Sequence, residues 1–329
     1  MTFSDIPSDA SLFLVRESRD IDLLAFGQNS LDRVGRIEEL PPPGGKSSLV
    51  SYGESPGGQV ATAALAAAKL GLRCAYMGRV GDDAAAEAVL APLAAAGVDL
   101  SAVQRVEGAT TRLAIVLVDP GNGERTVLWH RDPRLELGAS GLPDFDLDRV
   151  GTVLLDTEDV ASSTELARRA RSHGVPVVLD VDTFTPELQP LLRLVDFPIV
   201  TEQFAATFSG TDSAVEGLAR LDAAGARLAV VTLGERGAMA SARGRRFACP
   251  AFETHPVDTT GAGDAFRAGF VWALQRGEGA EAALRTASAT GALCCSGPGA
   301  QGGLPDAAAL QRFLREGTPG PWRGPWLGD

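Results

Sequence analysis

No stretch of this sequence approaches the roughly 20 uninterrupted apolar residues of a bilayer-spanning helix; the alanine-rich run after Gly58 is broken by Lys69 and ends at Gly71. Positive charge is also short, with 30 Lys and Arg against 42 Asp and Glu and a formal net charge of −12. Such a chain lacks the basic face that phosphate backbones and anionic membrane surfaces require, so nucleic acid and membranes are not expected partners. The start has no basic segment followed by a long apolar core, since Leu12 to Val15 is bounded by Arg16 and Glu17, and no secretion signal is expected. Cysteine is confined to Cys74, Cys249, Cys294 and Cys295, without metal-ligand spacing, and the adjacent pair is poorly placed for a structural disulfide. These absences predict a soluble cytoplasmic protein with reduced thiols.

What is present is an ordinary globular composition over 329 residues, 45% hydrophobic and 22% charged, enough to bury a sizeable core. Apolar stretches at Ile21 to Phe26, Cys74 to Val80, Val153 to Leu155, Val177 to Val181, Ile199 to Val200 and Ala229 to Thr232 read as strands. They alternate with helical stretches at Gly57 to Leu70, Asp82 to Ala96, Ser163 to His173 and Ser213 to Ala224. Such alternation predicts an α/β fold, a doubly wound, mostly parallel sheet with helices on both faces. Ligands on such sheets lie at the carboxyl ends of the strands, which singles out Asp32, Glu158, Asp182, Glu202 and Gly234. Two segments break the pattern. Val34 to Ser55 is dense in proline and glycine (Pro41 to Pro43, Gly44, Gly45) and reads as an exposed connection or flap with no core element, while the polar turn before it ends at Asp32. Leu113 to Val118 and Thr126 to Trp129, separated by Asp119-Pro120-Gly121-Asn122-Gly123, read as a hairpin.

Near the C-terminal third, Asp258-Thr259-Thr260-Gly261-Ala262-Gly263-Asp264 leads into a helix spanning Ala265 to Gln275, with Phe266, Phe270, Trp272 and Leu274 expected to be buried. Small residues at a helix start let backbone N–H groups approach an anion closely. Glycines alone equally fit a simple N-cap turn, with Asp264 as a helix-start carboxylate. The full run resembles the second signature of the ribokinase (PfkB-type) carbohydrate kinases, matched as far as Gly269. The resemblance implies an ATP-dependent sugar kinase with a ribokinase-like fold, Asp264 as general base, Gly261, Ala262 and Gly263 as an anion hole, and Asp258 and Thr260 as part of a monovalent-cation (K+) site. Upstream, Ala229-Val230-Val231-Thr232-Leu233-Gly234-Glu235-Arg236-Gly237 resembles the family's nucleotide strand and turn, implying ATP contacts from Thr232, Gly234 and Gly237. Downstream, Gly299-Ala300-Gln301 resembles the loop that completes the cation site and covers the adenine, with Gly303 where some relatives carry serine.

Pro56-Gly57-Gly58-Gln59-Val60-Ala61-Thr62, followed by Leu70-Gly71 and Gly78-Arg79-Val80-Gly81-Asp82-Asp83, resembles the family's first signature. By that resemblance Gly58 lets the sugar lie against backbone, Gln59 and Thr62 bond its hydroxyls, and Asp32 takes the place of a sugar-binding aspartate. Relatives often have asparagine at both the Gln59 and Thr62 positions, and the departures point to a ketose or modified sugar in preference to ribose. The hairpin resembles the lid strands of ketohexokinase-like members; Arg112 and Glu158 are further substrate-binding candidates, each equally readable as a solvated charge. The Asn-x-x-Glu element that helps relatives organise Mg2+ is replaced by Thr201-Glu202-Gln203-Phe204, where Glu202 could substitute through water.

The resulting expectation is one kinase domain over residues 1–329 with a small β lid built from about 32–57 and 108–132. The lid is expected to pair two copies into a homodimer, because it exposes apolar strand faces and edges. Three alternatives remain open: a nucleoside kinase of the same fold, a catalytically silent sugar-binding or regulatory protein, and a dinucleotide oxidoreductase. The last is disfavoured because no Gly-x-Gly-x-x-Gly turn follows the first strand.

Overall fold

The computed structural model describes residues 19–118 and 125–325. In chain order the strands are β1 (Ile21–Phe26), β2 (Ser30–Ile37), β3 (Leu49–Gly57), β4 (Cys74–Gly81), β5 (Val103–Val106), β6 (Leu113–Val118), β7 (Arg125–His130), β8 (Val150–Leu155), β9 (Val177–Val181), β10 (Phe197–Thr201), β11 (Ala229–Thr232), β12 (Ala238–Ala242) and β13 (Arg245–Cys249). The helices are α1 (Gln59–Lys69), α2 (Ala84–Ala95), α3 (Val160–Ser172), α4 (Gln189–Leu192), α5 (Glu202–Ser209), α6 (Ala214–Ala223), α7 (Ala262–Gln275), α8 (Ala280–Cys294) and α9 (Ala307–Glu316).

Alternation along β1 shows why the main sheet is covered on both faces. Leu23 and Ala25 point into one apolar core, shared with α1, α2, α7 and α8, while Leu24 and Phe26 point into another, shared with α3, α5 and α6. A strand apolar on both faces needs a helix layer on each side, as parallel sheets require. The sheet runs β13-β12-β11-β10-β9-β8-β1-β4-β5, parallel from β5 through β11 and antiparallel only at β12 and β13. The β12–β13 hairpin turns at Arg243 and Gly244, both with positive φ (50° and 77°), matching strand twist. Asp222 secures it by accepting from both backbone N–H groups.

Strand order reverses at β1, which lies between β4 and β8. The chain leaves its carboxyl end at Gly27, forms β2 and β3 and returns through α1; β6 and β7, added after β5, complete a second, four-stranded sheet, β3-β2-β6-β7. The segments 32–57 and 108–132, expected to form a lid, overlap its four strands, with β2 starting earlier at Ser30. Two local readings change. Asp32 belongs to β2 and not to a turn, and the stretch from Val34 to Ser55 carries two strands flanking a proline-glycine loop. Most of β3 is exposed, so no apolar alternation marks it. Strands β6 and β7 pair antiparallel as the hairpin reading requires, and its turn residues lie outside the described residues.

Helix α7 is buried from Ala265 to Leu274, with Phe270 fully enclosed. A helix apolar all round must be sandwiched, and α7 sits between α1, α8 and the sheet. It begins at Ala262, so the small-residue run is its own first turn and not a preceding loop. Among the described residues no helix is long and apolar enough to cross a membrane.

Candidate active site

A cleft of 1130 Å³ opens along the carboxyl ends of β9, β10 and β11 and the first turn of α7. Gly261, Ala262, Gly263 and Asp264 line it together with Thr232, Gly234, Gly237 and Thr260. Gly261 caps α7 with φ 79°, and a side chain there would meet Ala300, whose Cα lies 2.7 Å from the Cβ position. Both constraints demand glycine. The first N–H groups of a helix have no intrahelical acceptor, so Gly263 and Asp264 present donors and the positive end of the helix dipole to the cleft. Gly237 (φ 101°) closes the turn after β11, where an added Cβ would collide with the Cys249 carbonyl. Thr232 donates its hydroxyl to the Val200 carbonyl at 3.3 Å, so its side chain ties β11 to β10.

Asp258 braces this end. Its Oδ1 accepts from the Thr260 N–H at 2.8 Å and its Oδ2 from the Gly299 N–H at 3.0 Å, pinning the 258–260 turn to the 299–301 loop. The Thr260 and Ala300 carbonyls converge on the Cys294 thiol at 3.8 and 3.5 Å. Among the described residues no cluster of three or more His, Cys, Asp or Glu side chains forms a metal site. The donor set here, carbonyls and a single carboxylate, suits a weakly bound alkali ion better than a caged divalent one.

Asp264 is half-buried at the base of the cleft, and burial pushes its carboxyl up to about 7. The Asp182, Asp32 and Asp156 carboxylates raise it further, while the Arg267 guanidinium opposes them.

On the acceptor side, Asp32 accepts from the Ser30 hydroxyl at 2.8 Å and is raised by burial, with Ser30 and Arg112 pulling the other way. The glycine pair acts differently from expectation. A Cβ on Gly57 would strike the Asp32 carboxylate, and one on Gly58 (φ 91°) would sit 2.7 Å from the Asn29 Cα. The pair therefore lets the start of α1 approach the chain's own 28–32 segment, and the side-chain face of Gly58 is filled by protein. Gln59 does line the cleft and donates to Asp182 Oδ2 at 2.6 Å. Thr62 does not: it is fully buried, and its hydroxyl accepts from Gln301 at 3.4 Å behind the cleft wall. Arg112 and Glu158 form an ion pair, joined by Arg131 at 3.3 Å, and Arg112 stacks over Trp129 of the lid at 4.9 Å. With side chains 12% and 22% exposed, neither is a freely solvated charge.

Three features had no clear signal in the sequence. Asp156 follows β8 at the reversal of strand order, 1% exposed, and accepts from the N–H groups of Gln28 (2.6 Å) and Glu158 (3.0 Å); burial raises its carboxyl to about 6. Arg267, on the turn of α7 after Asp264, contacts Asp180 on β9 at 2.5 Å. Gly320, Pro321 and Arg323 line the cleft, held by the Gly320 N–H to the Ala251 carbonyl at 2.8 Å. The first was hidden by lying two residues before the more conspicuous Glu158, the second by looking like a helix-face charge, and the third by having no periodicity. Where relatives carry Asn-x-x-Glu, Thr201 caps α5 and donates to the Asp182 carbonyl at 2.8 Å, while Glu202 pairs with Arg236 at the cleft wall.

The chain is 31% identical over 294 residues to a ribokinase of Bacillus subtilis, covering 89% of this chain and 99% of that one. It is 30% identical to an ATP-dependent ribose-1-phosphate kinase of Halopiger xanaduensis, covering 90% and 99%. The structure of Arabidopsis thaliana ribokinase complexed with ribose and ATP superposes with a TM-score of 0.80 at 27% identity, covering 89% and 98%. The pfkB family carbohydrate kinase profile matches residues 20–307, and the chain belongs to that family.

Proposed function

We propose that this protein transfers the γ-phosphoryl group of ATP to a hydroxyl of a sugar, with Asp264 as the base that takes the hydroxyl proton. The observation that carries the proposal is the position of Asp264. It stands beside the Gly261–Gly263 turn at one side and faces Asp32 and Asp182 at the other. A carboxylate there receives the proton while the acceptor oxygen forms its bond to phosphorus and ADP leaves. The N–H groups of the turn and the dipole of α7 offset the charge that develops on the phosphoryl oxygens. Thr232, Gly234 and Gly237 form the wall for the nucleotide, and the 1130 Å³ cleft has room for it. Gln59, Asp32 and the Arg112–Glu158–Arg131 group orient the acceptor.

Mg2+ is held mostly by nucleotide phosphates in such sites and neutralises their charge; Glu202, on the cleft wall, is the residue to hold it through water. Asp258 and Thr260 are the residues to support K+. The relatives differ in acceptor, ribose for one and ribose 1-phosphate for another, at nearly equal identity. Of the two departures only Gln59 lines the cleft, where it is committed to Asp182, and on that residue we propose a ketose or modified sugar in preference to ribose. The lid leaves Val127, Leu128 and Trp129 51%, 57% and 62% exposed, and we place a homodimer contact there. Four free, buried thiols fit a cytoplasmic setting.

The test is ADP release on mixing enzyme, Mg2+ and ATP with a panel of aldoses, ketoses, sugar phosphates and nucleosides. Turnover of a sugar supports the proposal, nucleosides alone would transfer it to nucleoside phosphorylation, and no acceptor-dependent release across the panel would overturn it.

A further inference from the structure

Under the base of the cleft lies a charged group that the phosphoryl-transfer reading leaves unused. Arg267 is three residues beyond Asp264 on α7, and its side chain is 4% exposed. The guanidinium folds back over Gly263, so that a Cβ on that glycine would collide with Nη1. Its Nη2 lies 2.5 Å from Asp180 Oδ1, 3.6 Å from Asp182 Oδ1 and 3.4 Å from the Ile199 carbonyl. Asp180 is fully buried, and neither of its oxygens has a hydrogen bond of good geometry; the Arg267 Nε also lacks one. A buried pair so poorly satisfied is a weak stabiliser compared with apolar side chains of the same volume. Stability alone therefore does not account for it.

Its surroundings suggest what it does. Asp264 is faced by Asp180 and Asp182 from β9 and the turn after it, by Asp32 from β2, by Asp156 from the end of β8, and by the Cys294 thiol from α8. Burial pushes that thiol up to about 12, so it is neutral. Arg112 acts on Asp32 and Asp156 from the lid side. Arg267 is the cation that acts on Asp264 from one turn further along α7, and the same guanidinium lies 3.6 Å from Asp182, which holds Gln59.

We propose that Arg267, anchored by Asp180, is a positioning residue for Asp264: it offsets the surrounding carboxylates, keeps the base able to accept a proton near neutral pH, and couples the Gly263 face of the turn to Asp182 and Gln59. The idea rests on Asp264 being the base. Five carboxyl groups gather here, and burial holds the Asp180 carboxyl well above its ordinary value against the pull of Arg267. Loss of the Arg267 cation makes ionising Asp264 harder. Loss of the Asp182 carboxylate, which raises Asp264, makes it easier.

The test is the pH profile of kcat/KM in Arg267→Gln, Arg267→Lys and Asp182→Asn. In Arg267→Gln the acid limb, expected near pH 7, moves up by about one unit or more, the usual effect of a neighbouring charge. The rate at pH 7 then falls about fivefold or more and recovers at higher pH. Arg267→Lys keeps the charge and holds the limb near its original place, with a lower plateau because lysine cannot span Gly263, Asp180 and Ile199 together. Asp182→Asn removes a carboxylate that raises Asp264 and faces the same guanidinium, so it moves the limb down and decides the matter where Arg267→Gln does not fold. A uniform loss of rate with an unmoved limb in Arg267→Gln, or an unmoved limb in Asp182→Asn, would overturn the proposal. Titration of the Asp264 carboxyl by carbon-13 NMR in the same proteins reads the same shifts without turnover, so failure of the kinase reading and failure of this one are told apart.

Discussion

The two ends of the cleft are built in opposite ways. At the end proposed for the phosphates the groups are backbone N–H donors, supplied by the first turn of one helix and held by glycines whose conformation admits no side chain. Toward the proposed acceptor they are side chains: Gln59 and Asp182 line the cleft, Asp32 and Asp156 act on Asp264, and Arg112, Arg131 and Glu158 line a small neighbouring pocket. A backbone site is rigid and indifferent to the acceptor, whereas a side-chain site can change specificity one residue at a time. Relatives named for ribose and for ribose 1-phosphate stand at similar identity to this chain.

The comparison is broken most directly at Asp264, where the ends meet. Asp264→Asn preserves shape but cannot take a proton, and kcat is expected to fall by about 10²–10⁴-fold with little change in nucleotide Kd. Retained turnover would reduce Asp264 to a helix-start residue. At the phosphate end, Gly261→Ala forces a side chain into φ 79° and against Ala300, displacing the turn. A loss of about 10²-fold in kcat is expected, comparable to removing an anion-hole donor, for every acceptor alike. At the acceptor end, Glu158→Gln leaves Arg112 and Arg131 without their shared counter-charge. The acceptor KM is expected to rise about tenfold with the ATP KM unchanged; equal changes in both would mean that the two ends are not separable.

A smaller effect reads the same electrostatics through stability. Asp264 and Asp156 are raised to about 7 and about 6 from 3.8, so the folded protein binds their protons more tightly than the unfolded chain does. That contribution is fully present below the ordinary carboxylate value and is lost as pH rises through 6 and 7. Asp264→Asn should therefore raise Tm by about 2–4 °C at pH 8 and leave it unchanged at pH 4. A Tm loss at pH 8 would mean that the carboxylate is not strained there.

Far from the cleft, Leu128→Ser with Trp129→Ser should turn a sedimenting dimer into a monomer without moving the ATP KM. A wild-type protein sedimenting only as a monomer near 34.2 kDa would remove the lid contact.

Legibility in the sequence followed the same division. The main-sheet strands were readable because residues such as Leu23 and Leu24, or Val153 and Leu154, are apolar on both faces, and helix α7 because its aromatic residues are closely spaced. Helix α8 escaped because alanine, threonine and glycine dominate it and leave little apolar periodicity. Strand β3 escaped because both of its faces are largely exposed. In the site, the Asp258–Asp264 run was legible as one contiguous segment, but Thr62 was placed in the cleft although its hydroxyl faces Gln301.

By itself the sequence determined the phosphate end. A turn whose residues are adjacent in the chain needs only local sterics, and Gly261, Gly263 and Asp264 carry theirs with them. Only the tertiary structure decided the acceptor end and the charge around the base. Asp32, Asp156, Asp180, Asp182 and Arg267 are separated by long stretches of chain, and strand order alone brings them together. Their protonation then depends on how much water and how many opposing charges that assembly leaves around each of them.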